Sequence, residues 1–411
     1  MSKRTTRALI LCIVCICSPA AGNADAVLEW NAIMLDALVG QSATNETRLA
    51  AITQLAVFEA VNAIKRDYRP YLGTIKAKPG ASADAAAIAA AHAVLRNYVP
   101  TRGDELDAAR GHSLQAIPDG AAKDAGIAVG MAAAKAMIEA RKNDGAEPVQ
   151  FHMPRSSEPG EWQLTQGCPS QGGVFANWGN VKPFGIRDVR QFRLNPPPDL
   201  RSERYTAAFN EVKKVGGVDS EARPQDRADV ARFYAAVLAI RTWNPAATQV
   251  ALQQAQSLSE NARALALLNS ALNDALVAVF DTKYRYPFWR PATAIPAGDE
   301  DGNRETRGDP SFVPFIPTPC HPSYASAHAS AAYAARAVLE RIYGKRGHRI
   351  VLSSTAVPGI TLEYSSFHEI TADIDDARVY GGIHFPFDQE AGARQGRRVG
   401  KYTYAHNLRP D

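Results

Sequence analysis

The 411-residue sequence predicts an all-α protein. Apolar residues recur at three- and four-residue steps, most clearly over residues 49–64, which is typical of an amphipathic helix. Residues 81–99 and 121–142 are alanine-rich and end at turn signals, which also favours helices. No segment alternates convincingly enough to predict a β-hairpin. A bundle-type arrangement of packed helices follows.

Charge excludes one class of function. The chain has 46 Lys and Arg residues against 42 Asp and Glu residues, a net charge of +4, without a long run of one sign. A nucleic-acid partner would require a basic strip, so none is expected. A local anion pocket remains open, because net charge does not report clustering.

The first 26 residues predict a signal peptide. Three basic residues precede an apolar run over residues 8–17, and Ala24-Asp25-Ala26 has the form of a cleavage site. The alternative, an uncleaved membrane anchor, is disfavoured because the run is too short to span a bilayer. We expect an exported protein, periplasmic or secreted, with no stable membrane span after cleavage.

Two cysteines, Cys168 and Cys320, lie outside this signal. An exported protein could pair them, but sequence does not show that they meet. Two separate buried thiols are the expectation.

The mature chain divides into two regions. Residues 27–200 form an N-terminal helical region that ends in a long irregular connection, since prolines forbid long helices over residues 146–200. Residues 201–411 form a C-terminal helical bundle.

Lys283, Arg285 and Arg290 form a first chemical cluster, with aromatic residues and two prolines among them. Prolines fix the backbone, and a rigid backbone can aim cations at one point. The alternative is a solvated helix end with an arginine stacked on Trp289.

A second cluster precedes a predicted helix in the sequence PCHPSYASAHA. Ser323, Ser326 and the backbone amides of Ala327 and His328 would lie at the helix start, where N–H groups and the macrodipole attract anions. The alternative is a serine helix cap with a surface histidine.

Arg378, His384 and Asp388 form a third cluster, with two glycines that permit close backbone approach. An aspartate four residues after a histidine can hold one ring nitrogen and leave the other free. The alternative is an ordinary His–Asp hydrogen bond. Together, the three clusters contain the groups that hold a tetrahedral oxyanion.

The pattern K-x6-RP, PS-x-x-SAH and R-x5-H-x3-D resembles the vanadium haloperoxidase and type 2 phosphatidic acid phosphatase superfamily. FWRP at residues 288–291 and HPSYASAHA at residues 321–329 are similar to vanadium haloperoxidases in particular. The resemblance implies two packed helical bundles, with the oxyanion site in the second.

It also implies vanadate as cofactor, with its oxygens bound by Lys283, Arg290, Arg378, Ser326 and the backbone N–H of Ala327. The family's usual glycine is Ala327 here, which keeps the amide and adds a methyl group. A further departure, alanine for serine just before Arg378, is peripheral to the oxyanion.

The resemblance gives the remaining roles to histidines and an aspartate. His384 would be the single protein ligand to vanadium, Asp388 would orient it, and His328 would be the acid–base group. His321 lies where bromide-oxidising members carry a histidine; the alternative is a surface or capping histidine.

The function predicted is therefore a vanadate-dependent haloperoxidase that oxidises halide, bromide favoured, with hydrogen peroxide and then halogenates a small organic acceptor. The alternative is a soluble periplasmic acid phosphatase, in which His384 forms a phosphohistidine intermediate. A non-catalytic anion-binding protein is a third hypothesis, disfavoured because anion capture does not need His328. The oligomeric state, a homo-oligomer included, stays open.

Overall fold

A computed structural model describes residues 25–411 of the chain, and the prediction of an all-α fold is confirmed. The predicted signal peptide lies outside the described residues, except for Asp25 and Ala26. Asp25 caps the first helix, because its carboxylate accepts the N–H groups of Val27 and Leu28 at 3.0 Å each.

Thirteen helices and two short strands follow one another in the described part of the chain. They are α1 (Ala26–Ala37), α2 (Ala43–Lys65), α3 (Ala83–Tyr98), α4 (Gly103–Gln115), α5 (Ala121–Ala140), α6 (Glu203–Val215), α7 (Gln225–Ala236), α8 (Ala239–Gln253), α9 (Leu258–Arg285), α10 (Pro291–Ala294), α11 (Ala327–Tyr343), β1 (Ile350–Ser353), β2 (Thr361–Tyr364), α12 (Phe367–Val379) and α13 (Pro386–His406).

The longest helix, α9, lies at the centre of the molecule. It begins at a capping box, in which Ser257 and Glu260 bond each other's backbone N–H groups. It packs against α2 of the N-terminal region and against α11 and α13 of the C-terminal region. One hydrophobic core cluster therefore runs through both regions.

Helix α9 is also the one helix in residues 25–411 that is long and apolar enough to cross a membrane. Of its most apolar 18-residue window, 94% is buried inside the protein.

Helices α11 and α13 approach each other closely through a row of glycines. A Cβ atom on Gly392 would collide with the carbonyl oxygen of Ser326, and one on Gly396 with that of Ser330. Because only glycine permits this approach, α13 can lie directly on α11. The beginnings of both helices, where the second and third sequence clusters lie, are thereby held side by side.

The expectation of no β-hairpin was wrong. Strands β1 and β2 pair antiparallel, with Ile350 opposite Tyr364 and Ser353 opposite Thr361. Each strand has four residues, and much of the pair is exposed. So short a pattern is weak in the sequence, and the pair depends on packing against the helices.

Residues 146–200 are irregular, with two short 3₁₀ turns at Trp178–Asn180 and Val189–Phe192. Cys168 in this segment forms a disulfide with Cys320, across a Cα–Cα distance of 5.3 Å. The expectation of two separate thiols was therefore wrong. The cysteines are 152 residues apart, so only the folding of the irregular segment onto the C-terminal bundle brings them together.

Candidate active site

Lys283 is fully buried in the last turn of α9. Its ammonium group donates to the carbonyl oxygens of Pro322 at 2.7 Å and Ser323 at 2.9 Å. An ammonium has three donors, so one remains for a ligand. Arg285, the other cation of this turn, is exposed and lies outside the site.

Arg290, a member of the first cluster, is fully buried just before α10, and its side chain bonds residues of the other two clusters. Its Nε and Nη2 atoms donate to the carbonyl oxygen of His321 at 2.9 Å and to His321 Nδ1 at 3.0 Å. Its Nη1 atom lies 2.8 Å from the carbonyl oxygen of Ile383 and 3.0 Å from His384 Nε2. The guanidinium is therefore fixed in plane and position before any ligand arrives.

The start of α11 contributes a hydroxyl and free backbone amides. Ser326 caps the helix, with its side chain accepting the N–H of Ala329 at 3.3 Å. The hydroxyl proton of Ser326 remains available to donate. Because Ala327 and His328 are the first two helical residues, their N–H groups have no acceptor within the helix. His328 itself is partly exposed.

Arg378, in the last turn of α12, is the third buried cation. One of its nitrogens donates to the carbonyl oxygen of Tyr234 at 2.9 Å, which ties the site to the end of α7. Its Nε atom is buried and has no hydrogen-bond partner within residues 25–411. An unpaired buried donor on a cation is a position that an anion can satisfy.

His384 and Asp388 form a buried pair at the start of α13. His384 Nδ1 lies 2.9 Å from Asp388 Oδ2, while Nε2 faces Nη1 of Arg290. A guanidinium has only donors, so Nε2 is the unprotonated nitrogen and Nδ1 carries the proton. The lone pair of Nε2 therefore points toward the cations, as a ligand or nucleophile requires.

The protein keeps three cations in a place that disfavours charge. Burial lowers the pKa of Arg290 to about 10 and that of Arg378 to about 9. Burial, and then repulsion by Arg290, lower the pKa of Lys283 well below its usual value. Burial raises the pKa of Asp388 to about 6, against the hydrogen bond from Ser323. Bound negative charge would relieve this imbalance.

The histidines respond to the same environment. Although His328 is partly exposed, its ring is surrounded by protein. This desolvation lowers the pKa of His328 well below its usual value, and the charges of Arg378, Lys283 and Arg290 lower it further. The pKa of His384 is lowered by burial and by the same cations. A neutral His328 beside a cationic pocket can accept a proton.

The donor set fits a tetrahedral oxyanion such as vanadate or phosphate. Within residues 25–411, none of the three buried cations forms an ion pair with a carboxylate, and Arg378 keeps an unpaired donor. Over the same residues, no group of three or more His, Cys, Asp or Glu side chains could hold a metal ion directly. The donor set therefore suits a group that is held through its negatively charged oxygens.

His321 is buried and packs edge-on against Phe280, with ring centroids 5.2 Å apart. Its Nδ1 atom accepts from Arg290, and burial lowers its pKa well below the usual value. The alternative of a surface histidine was therefore wrong. Through its Nδ1 atom and its carbonyl oxygen, His321 holds the guanidinium of Arg290 in place.

The structure brings every predicted site residue to one location; the roles assigned to them stay predictions. Sequence reasoning missed the carbonyl groups of Tyr234 and Ile383, which no side-chain motif can show. It also treated Ser323 as a helix cap or anion donor, whereas its hydroxyl bonds Asp388. Its position in the PS-x-x-S motif was the available signal.

Comparisons with known proteins agree with this geometry. Residues 263–410 match the family model of the VCPO second helical-bundle domain. No curated protein matches the chain at the level of sequence.

Among solved structures, a bacterial vanadium-dependent iodoperoxidase is similar, with a TM-score of 0.78 and 23% identity, over 94% of this chain and 96% of that chain. A holo-type bacterial vanadium-dependent chloroperoxidase has a TM-score of 0.73 and 19% identity, over 95% and 94%. An apo-type bacterial vanadium-dependent chloroperoxidase has a TM-score of 0.72 and 18% identity, over 89% and 93%.

The chain is thus an all-α protein with the helical-bundle fold of the vanadium haloperoxidases. The resemblance to that superfamily is confirmed over residues 263–410, which match the VCPO second helical-bundle domain, and the rest of the chain shares the fold.

Proposed function

We propose that the protein is a vanadate-dependent haloperoxidase. The observation that carries the proposal is the convergence of Lys283, Arg290 and Arg378, which are buried and have no carboxylate partner among the described residues, beside the unprotonated Nε2 of His384. Positive charge held in a buried pocket is a preformed receptor for an oxyanion. The full-length likeness to structures of vanadium-dependent peroxidases supports the choice of vanadate.

In this proposal, Lys283, Arg290 and Arg378 hold the vanadate oxygens, with Ser326 and the amide of Ala327 as neutral donors. Bound vanadate supplies an electrophilic centre that activates hydrogen peroxide toward halide. The chain keeps the anion oriented and its charge neutralised throughout the reaction.

His384 and His328 have different tasks. His384, held by Asp388, would present its Nε2 lone pair to the bound anion. His328 has no hydrogen-bond partner among the described side chains and is kept neutral by burial and nearby cations, so it takes the proton of incoming peroxide. Bromide is the favoured halide of the proposal, with His321 acting through Arg290. A small organic molecule would accept the oxidised halogen.

The runner-up is an acid phosphatase. The same cations would hold a phosphate ester, His384 would attack phosphorus, and His328 would protonate the leaving alcohol. This reaction needs the same neutral Nε2 that the peroxidase needs. The two reactions are therefore separated by assay.

The deciding experiment measures bromination of a phenolic dye by the purified protein with peroxide and bromide, with and without orthovanadate. Chloride and iodide are compared under the same conditions. We expect vanadate-dependent bromination that is lost in His384→Ala. His348→Ala is the matched control, since His348 is also buried, at 8% exposed against 2% for His384, and its ring bonds only the carbonyl oxygen of Gly344.

Hydrolysis of a phosphomonoester is measured in parallel without vanadate. Hydrolysis that vanadate inhibits, together with no oxidation of any halide, would overturn the peroxidase in favour of the phosphatase. Orthovanadate binding without either activity, unchanged by His328→Ala, would point to a binding protein.

We also propose that the protein is exported. The predicted signal and the Cys168–Cys320 disulfide support this, because disulfides persist in oxidising compartments. N-terminal sequencing of the protein from the periplasm or medium tests it, and an intact Met1 in the cytosol would contradict it.

A further inference from the structure

Ser323 connects the three motif segments of the site. Its N–H donates to the carbonyl oxygen of Phe288 at 2.9 Å, and its own carbonyl oxygen accepts from Lys283 at 2.9 Å. Its hydroxyl donates to Asp388 Oδ2 at 2.5 Å. The side chain is fully buried, so the hydroxyl has no contact with bulk water.

The hydroxyl of Ser323 also constrains the proton of His384. Asp388 Oδ2 accepts from this hydroxyl, from the N–H of Phe385 at 3.1 Å and from His384 Nδ1 at 2.9 Å. A serine hydroxyl has one proton, and the 3.4 Å distance from Ser323 Oγ to His384 Nδ1 is much longer than its bond to Asp388. Since that proton is used by Asp388, Nδ1 must supply its own.

We propose that Ser323 is a positioning residue, which anchors Asp388 and thereby holds His384 in the tautomer that leaves Nε2 free. Without the hydroxyl, Asp388 Oδ2 loses one of its three donors and the carboxylate can turn. The imidazole then loses its fixed acceptor at Nδ1, and only the contact between Nε2 and Arg290 still favours the Nδ1-protonated form. The inference rests on the proposed function only for the role of Nε2 toward the oxyanion.

The test compares Ser323→Ala with the unaltered full chain in two measurements. The first is the tautomer of His384, from long-range ¹H–¹⁵N correlation spectra of protein with ¹⁵N-labelled histidine, assigned by the signal lost in His384→Gln. The second is the affinity for orthovanadate, from titration calorimetry without peroxide or halide. Neither readout requires turnover.

We expect Ser323→Ala to lose the predominance of the Nδ1-protonated form and to bind orthovanadate about 10- to 100-fold more weakly, as is usual when the group behind a metal-binding histidine is removed. Ser323→Thr, which keeps the hydroxyl, should restore both. Ser330→Ala is the matched control, because Ser330 is an equally buried serine whose hydroxyl bonds only the carbonyl of Ala275, at 3.2 Å.

An Nδ1-protonated His384 in Ser323→Ala, with affinity within about twofold of Ser330→Ala, would overturn the inference. If the alanine variant does not fold, Ser323→Cys keeps the volume with a poor donor and gives the same comparison. If orthovanadate binds neither the unaltered protein nor any variant, the proposed function fails, and the tautomer still decides the role of Ser323.

Discussion

The protein buries cations in two regions, and only in one of them do the cations form ion pairs with a carboxylate. In the N-terminal region, the guanidinium groups of Arg48 and Arg141 both bond Asp144 Oδ2, with Nε distances of 2.8 Å and 3.0 Å. Arg141 also lies over the ring of Phe184, 3.7 Å from its centroid. Both cations therefore share a carboxylate counter-charge within the chain.

In the candidate active site, the carboxylate of Asp388 does not pair with the cations. Asp388 bonds His384 and Ser323 and forms no ion pair with Lys283, Arg290 or Arg378 in the described structure. Both regions contain buried arginines, so buried arginines do not by themselves indicate a functional site. The site is marked by a carboxylate that orients a histidine, while the nearby cations have no counter-charge.

The largest effect should come from removing the carboxylate of the N-terminal cluster. Asp144→Ala leaves two buried guanidinium groups without their counter-charge, so the free energy of unfolding should fall by about 3 to 5 kcal/mol in urea titrations. Asp36→Ala is the control, since it breaks an exposed pair with Arg102 that should contribute less than about 1 kcal/mol. Equal losses of unfolding free energy in the two variants would contradict a stabilising role for the buried Asp144 carboxylate.

Removing a cation should separate binding from stability. Arg378→Met deletes a charge without an ion-pair partner, so orthovanadate affinity should fall at least about 100-fold while the free energy of unfolding is kept or raised. Arg141→Met should do the reverse, with lost stability and unchanged affinity in protein that remains folded. Calorimetric titration and urea unfolding check both. A large loss of stability in Arg378→Met would contradict the distinction.

The smallest expected effect on the free energy of unfolding concerns Asp375, a half-buried carboxylate that bonds no cation among the described residues. Asp375 accepts from the hydroxyl of Tyr333 at 2.8 Å, and burial raises its pKa to about 7. The unfolded chain releases this proton near pH 4, so the carboxyl group costs stability progressively as the pH rises to about 7.

Asp375→Asn should therefore be the more stable protein at pH 8 by about 1 kcal/mol, discounted for partial exposure, with little difference at pH 4. Thermal unfolding across this pH range measures the gap. A gap that does not change with pH would show that Asp375 bears no such cost.

The helices and the site composition were both accessible from sequence. The helical period over residues 49–64 corresponds to α2, and the spacing of Lys283 and Arg290 placed two cations near each other. Arg285 lies in the same motif and has the same charge, yet the last turn of α9 leaves it exposed. Residue type could not make that distinction, and only the K-x6-RP spacing of the family pattern left Arg285 out.

Long-range contacts account for what sequence could not predict. The disulfide between Cys168 and Cys320 depends on how an irregular segment lies over the bundle, because no local period relates two positions so far apart. The bond from Ser323 to Asp388 depends on the glycine contact between α11 and α13.

The sequence by itself determined which segments are helical and which residue types are available for an oxyanion, because both depend on spacing within a few turns of chain. Two outcomes needed the tertiary structure: the hydroxyl of Ser323 bonds Asp388, and Nε2 of His384 faces Arg290, which leaves the proton on Nδ1. Those outcomes depend on directions and distances among α9, α11, α12 and α13, which side-chain packing sets after the helices have formed.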